Sequence, residues 1–270
     1  MKTRIISALV YLPIVLGMIY FSGVNGVVNV FVSLISIVAA YEGMKVSCNN
    51  QSKIITAVTM IIAATVPFMK YSVISEYLPI ICFVYMLVLV SVMLAQHSKV
   101  GFENIAYSLL FGLVVPLAYS TLAFVRNERV DGMAYFMIVF LVCWFSDIGA
   151  YFTGSFLGKH KLAPVVSPKK TIEGAIGGYI FSFIAVVVFV MVYSKEGSPN
   201  YIACAVYAVL CSSLSIVGDL CTSILKRQKG VKNYGNIMPG HGGILDRFDS
   251  FLFVAPFVYL MSEYLHIIVI

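Results

Sequence analysis

Charged residues are scarce in this sequence. Only 11% of the 270 residues are Asp, Glu, Lys or Arg, whereas 60% are hydrophobic, and the mean hydropathy is +0.95. No polar stretch is long enough to build a soluble domain, so a soluble protein is excluded and a single membrane domain is expected. The six cysteines contain no C-x-x-C pair, which argues against disulfides or a zinc site and favours small core residues.

Long apolar runs recur along the chain at the length of a membrane-spanning helix, roughly 17–25 residues. Strands of a membrane barrel would alternate in polarity, so the continuous runs predict an all-α, polytopic membrane fold. The first run could also be a cleavable signal, but no A-x-A-like site follows it, and it is interpreted as a span. Nine spans are predicted, approximately over residues 5–22, 25–43, 54–69, 77–95, 104–125, 132–154, 173–194, 200–225 and 250–268.

The basic residues are distributed very unevenly over the predicted loops. Fourteen of the 18 Lys and Arg residues fall on the side of the N-terminus, which predicts a cytoplasmic N-terminus. The two longest loops on that side cover residues 155–172 and 226–249, and function is expected there. Residues 1–130 are therefore predicted to be supporting helices and residues 131–270 the catalytic region. The net charge of +6 comes from basic residues in short loops, where they set the membrane topology and contact anionic lipid or phosphate. Nucleic acid is therefore not an expected partner.

Polar residues form one stripe along the eighth predicted span. A carboxylate inside a membrane helix costs at least ~2.5 kcal/mol, so Asp219 requires a partner. A metal ion and a basic side chain both remain open, the second giving a purely structural ion pair. The stripe comprises Ser212, Ser215, Asp219, Thr222, Ser223 and Lys226, at spacings of three and four.

A basic and glycine-rich segment follows that span. Lys226, Arg227 and Lys232 precede the sequence PGHGG at residues 239–243. Cations neutralise phosphates, and glycines allow backbone N–H groups to approach phosphate oxygens, which predicts a polyphosphate site. His241, between two of the glycines, is a candidate donor to a phosphate or to the leaving group.

Two carboxylates come next, three residues apart. If the ninth helix starts near Leu245, Asp246 and Asp249 project from one face of its first turn. A helix-terminal charge pair would be the structural interpretation. Carboxylates beside phosphates are, however, what Mg²⁺ prefers. Together with Asp219 they predict a metal and phosphate site.

The sixth span and the loop after it provide further candidates. Asp147 is another intramembrane carboxylate, on the same helix face as Tyr151. The sequence SPKKT then supplies Lys169 and Lys170 just before a helix whose N-terminus is a natural anion site. Glu42, at the end of the second span, is interpreted as a structural residue at a helix interface.

The segment from residue 223 to residue 249 resembles the signature of the phosphatidate cytidylyltransferases, S-x-x-K-R-x4-K-D-x-G followed by P-x-H-G-G-x-x-D-R-x-D. The resemblance extends to DIGAYFTG and SPKKTIEGAIGG and covers about 110 residues. One departure is Asn233, where the family usually has Asp, and this position is interpreted as peripheral. The matching positions are Ser223, Lys226, Arg227, Lys232, Gly235, Pro239, His241, Gly242, Gly243, Asp246, Arg247 and Asp249.

The resemblance implies that CTP and phosphatidic acid are converted to CDP-diacylglycerol and pyrophosphate at the inner membrane. We expect Asp219 and Asp246, assisted by Asp249, to hold Mg²⁺, either as one ion or in a two-cation centre. Asp147 is the next candidate ligand. Basic side chains would neutralise the phosphates: Lys226, Arg227, Lys232 and Arg247 for CTP, and Lys169 with Lys170 for the lipid. Ser223, Gly242 and Gly243 complete the predicted substrate-binding set, and a homodimer is implied by the resemblance alone.

Two rival functions remain open at this stage. A CTP-dependent lipid kinase would share the nucleotide site but transfer the γ-phosphate. A transporter would use Asp147 and Asp219 as ion relays, although it leaves the clustered PGHGG and basic segment unexplained. Product analysis distinguishes the three.

Overall fold

The computed structural model describes residues 2–48, 52–194, 198–238, 240 and 242–269. Most of these residues are helical, so the all-α class is confirmed. They form two compact units, each made of two chain segments. The first unit contains Met1–Ala123 and Gln228–Phe248, and the second contains Phe124–Arg227 and Asp249–Ile270.

The first unit is built from helices of the N-terminal half. Short 3₁₀ turns extend α1 and α3, and a single π-helical turn at Leu110–Val114 joins α5 to α6. Its core includes the ring of Phe248, which packs edge-on against Tyr11 and Tyr119. The helices are α1 Lys2–Tyr20, α2 Val27–Ser47, α3 Lys53–Thr65, α4 Ser72–Ala95, α5 Phe102–Leu109 and α6 Val115–Glu128, whose last turns belong to the second unit.

The second unit combines four helices with two small antiparallel sheets. Its helices are α7 Gly132–Leu157, α8 Ile172–Tyr193, α9 Tyr201–Gln228 and α10 Phe251–Met261. Strand β1 Lys161–Ala163 pairs with β2 Ser167–Thr171, and β3 Ser198–Pro199 pairs with β4 Ile268–Val269. The region predicted as the loop 155–172 therefore contains a β-hairpin.

Close packing of α7 on α8 depends on glycine. A Cβ atom at Gly149 would lie 2.6 Å from the Gly177 carbonyl oxygen, so only glycine allows this approach. Helix α8 also contacts α9, because the Ser212 hydroxyl donates a hydrogen bond of 2.9 Å to the Ser182 hydroxyl. These contacts fix the three helices that carry the polar residues of the second unit.

Six helices in the described part of the chain are long and apolar enough to cross a membrane, as a multi-pass membrane protein requires. Their ranges are Val27–Ser47, Ser72–Ala95, Phe102–Glu128, Gly132–Leu157, Ile172–Tyr193 and Tyr201–Gln228. Three shorter apolar helices, Tyr11–Gly23, Lys53–Phe68 and Phe251–Met261, coincide with the other predicted spans. The count of nine spans and the side of the N-terminus stay predictions.

The helix observed in the last predicted span is shorter than the apolar run that predicted it. Helix α10 ends at Met261, and the chain continues as a turn and as β4 instead of a helix to residue 268. The backbone finds other partners there: the hydroxyls of Tyr135 and Tyr207 donate to the Leu265 carbonyl, and the Asn200 N–H donates to the Ile267 carbonyl. Apolarity alone therefore does not decide where this helix ends.

Candidate active site

The polar stripe of α9 is buried in the second unit. Its hydroxyl residues and Lys226, which is 6% exposed, face protein, while Asp219 is partly exposed. The burial confirms that the stripe is one interior helix face. The buried members are Ser212, Ser215, Thr222, Ser223 and Lys226.

Asp219 lies at the centre of a network of charged and hydroxyl groups. Its Oδ2 forms an ion pair of 2.5 Å with the Lys170 ammonium group, and its Oδ1 accepts a hydrogen bond of 3.3 Å from the Ser223 hydroxyl. The Asp249 carboxyl group lies close enough to Asp219 for the two to interact electrostatically. Lys226 lies close enough to act electrostatically on both carboxyl groups.

Asp249 is held just before the first residue of α10. Its Oδ1 accepts the Ser250 N–H at 2.8 Å, and its Oδ2 accepts the Thr222 hydroxyl at 3.4 Å. Burial, and then the carboxylates of Asp219 and Asp147, raise the pKa of Asp249 to about 8, against the lowering effect of Lys226. Ionised Asp249 is therefore repelled by the neighbouring carboxylates, and a cation bound between them would relieve that repulsion.

The β-hairpin places Lys170 beside Asp219. Strand β2 runs directly into α8, and the Thr171 side chain caps that helix by accepting the Gly174 N–H at 3.1 Å. The Glu173 carboxylate accepts the N–H groups of Lys159 and His160, which fixes the chain entering β1. Because Thr171 already satisfies one N–H of the helix, this N-terminus is less open to an anion than the sequence indicates.

A cavity of about 300 Å³ opens in front of these groups. Lys170 and Asp219 line one part of it, next to Asp147 and Lys169. Apolar side chains, including those of Tyr151 and Leu162, also line it. A cavity lined by both charged and apolar side chains fits a ligand that has a phosphate and an apolar part.

Gly218 lets α9 approach the segment that carries Asp249. A Cβ atom at this position would lie 2.6 Å from the Asp249 carbonyl oxygen, a backbone atom that cannot rotate away. Alanine normally stabilises a helix interior by about 1 kcal/mol over glycine. We nevertheless expect Gly218→Ala to lower the unfolding midpoint of the detergent-solubilised protein by at least about 2 °C, because overpacking costs more.

The control for this variant is Gly17→Ala on α1, where a Cβ atom would meet nothing within 4 Å. This variant should unfold at the wild-type temperature or above it. A Gly218→Ala protein as stable as the Gly17→Ala protein would contradict the close approach of α9 to residue 249.

The glycine-rich segment of the first unit is organised by a carboxylate. We call residues 234–245 the glycine loop. The Asp246 Oδ2 accepts the Tyr234 N–H at 2.8 Å and the Gly243 N–H at 3.0 Å, and so holds the two ends of the loop together. The Leu245 N–H donates to Glu42 on α2 at 3.0 Å. Sequence reasoning missed this role of Glu42.

The ninth helix does not start near Leu245, the condition under which the two carboxylates would share its first turn, but close to the start of the predicted span 250–268. Residues 245–250 form turns, and α10 begins only at Phe251. The cause is local: the Asp249 carboxylate accepts the Ser250 N–H, which a helix that starts near Leu245 would need for its own hydrogen bonds. Asp246 and Asp249 therefore do not share the first turn of a helix, and each has its own partners in its own unit.

The remaining predicted site residues are exposed basic side chains and two buried glycines. Four basic side chains are exposed: Lys169 and Arg227 in the second unit, and Lys232 and Arg247 in the first. The N–H groups of Gly242 and Gly243 donate within the loop, to the Met238 carbonyl and to Asp246, so in this structure both glycines shape the loop. Their contact with phosphate stays a prediction. His241 lies outside the described residues.

The arrangement of the acidic side chains bears on whether the site can hold a metal ion. Among the described residues, no group of three or more His, Cys, Asp or Glu side chains is arranged to hold a metal ion. Mg²⁺ commonly binds through only one or two carboxylates, with substrate phosphates and water completing its shell. The adjoining carboxyl groups of Asp219 and Asp249 fit that requirement.

Comparison with known proteins points in one direction. A family model described as "Cytidylyltransferase family" matches residues 2–265. The chain is 41% identical over 174 residues to the phosphatidate cytidylyltransferase of Staphylococcus haemolyticus, which is 64% of this chain and 65% of the relative. It is 40% identical over 160 residues to the protein of that name from Bacillus subtilis, 59% of each chain. The chain thus spans somewhat less than two thirds of the length of these relatives.

Proposed function

The chain belongs to the cytidylyltransferase family, and from this premise we propose that it is a phosphatidate cytidylyltransferase. It joins CTP to phosphatidic acid and releases CDP-diacylglycerol and pyrophosphate. The observation that carries the proposal is the ion pair of Asp219 with Lys170, with the Asp249 carboxyl group nearby, beside a cavity lined by charged and apolar residues. The names of the curated relatives support the choice of substrates.

The reaction is a displacement at phosphorus. A phosphate oxygen of phosphatidic acid forms a bond to the α-phosphorus of CTP, and the bond from that phosphorus to the bridging oxygen breaks, releasing pyrophosphate. The protein has little covalent chemistry to perform, so catalysis rests on positioning and on stabilising charge. Lys170 and Lys226 are the cations fixed beside the carboxylates, and they suit the phosphates best because the fold already holds them in place.

Mg²⁺ is part of the proposal. Asp219 and Asp249 would hold it, with Asp147 as a neighbour that adds negative charge. When bound, the ion supplies charge neutralisation at the phosphate oxygens. Asp246 is assigned a different main role, since its Oδ2 already accepts two backbone N–H groups, and it keeps the glycine loop in shape.

The proposal extends to location. The catalytic loops 155–172 and 226–249 would face the cytoplasm at the inner membrane of a bacterium. Support comes from the 14 of 18 Lys and Arg residues on the predicted cytoplasmic side. CTP is a cytoplasmic nucleotide, whereas the lipid would enter from the membrane.

Product analysis tests the proposed reaction directly. The purified protein is incubated with CTP, phosphatidic acid and Mg²⁺, and both products are identified by mass. We expect a CDP-lipid and pyrophosphate in equal amounts. CDP with a phosphorylated lipid would instead identify a kinase. Transport of a solute into vesicles with no chemical change would identify a transporter.

A further inference from the structure

Glu42 is a buried carboxylate that the proposed reaction does not use. It lies near the end of α2 and is 2% exposed. Its Oε2 accepts the Leu245 N–H at 3.0 Å. Its Oε1 has no hydrogen-bond partner among the described residues. Burying a carboxyl group with incomplete hydrogen bonding costs free energy, so stability alone does not explain Glu42 at this place.

Two glycines of the glycine loop make room for that carboxylate. A Cβ atom at Gly235 would overlap with the Glu42 Oε1, and one at Gly243 would overlap with its Oε2. Neither glycine has a positive φ, so the backbone itself would accept alanine. The carboxylate of Glu42 is therefore what excludes a side chain at both positions.

Glu42 and Asp246 act on the same loop. Asp246 accepts the N–H groups of Tyr234 and Gly243, while Glu42 accepts that of Leu245. An ionised carboxylate has only hydrogen-bond acceptors, so both side chains suit a loop that directs backbone N–H groups at them. The loop is thus anchored from α2 as well as from its own C-terminal end, and α2 is remote in sequence.

We propose that Glu42 is a positioning residue that holds the glycine loop in the conformation that receives the nucleotide. The role rests on the proposed function, because the loop follows the basic segment assigned to CTP. It requires a carboxylate at position 42 and the absence of a side chain at positions 235 and 243. Glu42 touches neither substrate nor metal in this assignment.

The first test measures hydrogen exchange, which does not depend on activity. Wild type and Glu42→Ala are compared in detergent by mass spectrometry of peptides covering residues 242–248. Loss of a charge-assisted hydrogen bond should raise the exchange rate there by about tenfold or more, with α7 and α8 unchanged. Glu42→Gln keeps an acceptor oxygen and should recover part of the protection. The matched control is Glu76→Ala, which removes an exposed glutamate of α4.

The second test is epistasis. Gly243→Ala should push the Glu42 carboxylate away from the Leu245 N–H and so reproduce the Glu42→Ala phenotype. The double variant should then be no worse than Glu42→Ala alone, because the displaced group is already absent. Additive effects would mean that the two positions act separately, and would overturn the proposal. Gly101→Ala, where a Cβ atom would meet nothing within 4 Å, is the control in the same unit.

Kinetics complete the test. A loop displaced by about 1 Å can cost on the order of 10²-fold in rate, so kcat/KM for CTP should fall more in Glu42→Ala than kcat/KM for phosphatidic acid. Faster exchange with unchanged kinetics would mean a purely structural role and would overturn the proposal, as would unchanged exchange. If wild type makes no CDP-lipid, the proposed function fails, and the exchange data still decide whether Glu42 anchors the loop.

Discussion

Asparagine in place of Asp249 is expected to reduce CDP-lipid formation by about 10³-fold or more while leaving the protein folded. The carboxyl groups of Asp249 and Asp219 adjoin each other, and both would be needed to hold the cation. Asn keeps an oxygen that can accept the Ser250 N–H, so the start of α10 should persist. Removing one of two mutually repelling carboxylates also relieves the electrostatic cost of burial, so the metal-free variant should unfold no more easily than wild type.

Three further measurements define this result. Mg²⁺ should raise the unfolding midpoint of wild type but not of Asp249→Asn, because only a site that binds the ion is stabilised by it. The double variant Asp249→Asn with Asp219→Asn should be as active as the less active of the two single variants, since the two carboxylates act as a unit. Asp131→Asn, at the start of α7, is the matched control and should retain activity. Ordinary turnover by Asp249→Asn at ordinary Mg²⁺ would reject the assignment.

The polar stripe of α9 was predictable because it is a local property of one helix. A carboxylate in an apolar helix is costly, and spacings of three and four place its polar neighbours on its own face. The structure confirms that the face is buried. The pairing of Asp219 with Lys170 was not predicted as a specific contact. It depends on a β-hairpin whose strands are three and five residues long, too short to give a periodic signal.

The glycine loop shows what local patterns miss. Glu42 and Leu245 are 203 positions apart, so nothing in the sequence near either residue indicates their hydrogen bond. One signal was available: Glu42 lies within an apolar span, and the cost that singled out Asp219 applies to it equally. The end of α10 was misplaced for a related reason, since distant tyrosine hydroxyls donate to the Leu265 carbonyl, in a stretch that the apolar pattern assigned to a helix.

Replacing Lys170 by Gln should lower kcat/KM by roughly 10²-fold. The Lys170 ammonium group is 2.5 Å from the Asp219 carboxylate and lines the cavity, so its loss removes a cation that would face phosphate. The loss also leaves the negative charge of Asp219 without its lysine partner beside Asp249, which should lower kcat/KM further. Lys169→Gln should have a smaller effect, because Lys169 is exposed and a mobile surface lysine contributes less.

The matched control for Lys170→Gln is Lys161→Gln, which removes an exposed lysine from the other strand of the same hairpin. Equal losses in both variants would mean that the hairpin matters only through its net charge. A loss confined to Lys170→Gln, with no recovery in Lys170→Arg, would mean that the compact ammonium group is required at this distance from Asp219. Arginine keeps the positive charge but presents it on a larger, planar group, so this last comparison separates geometry from charge.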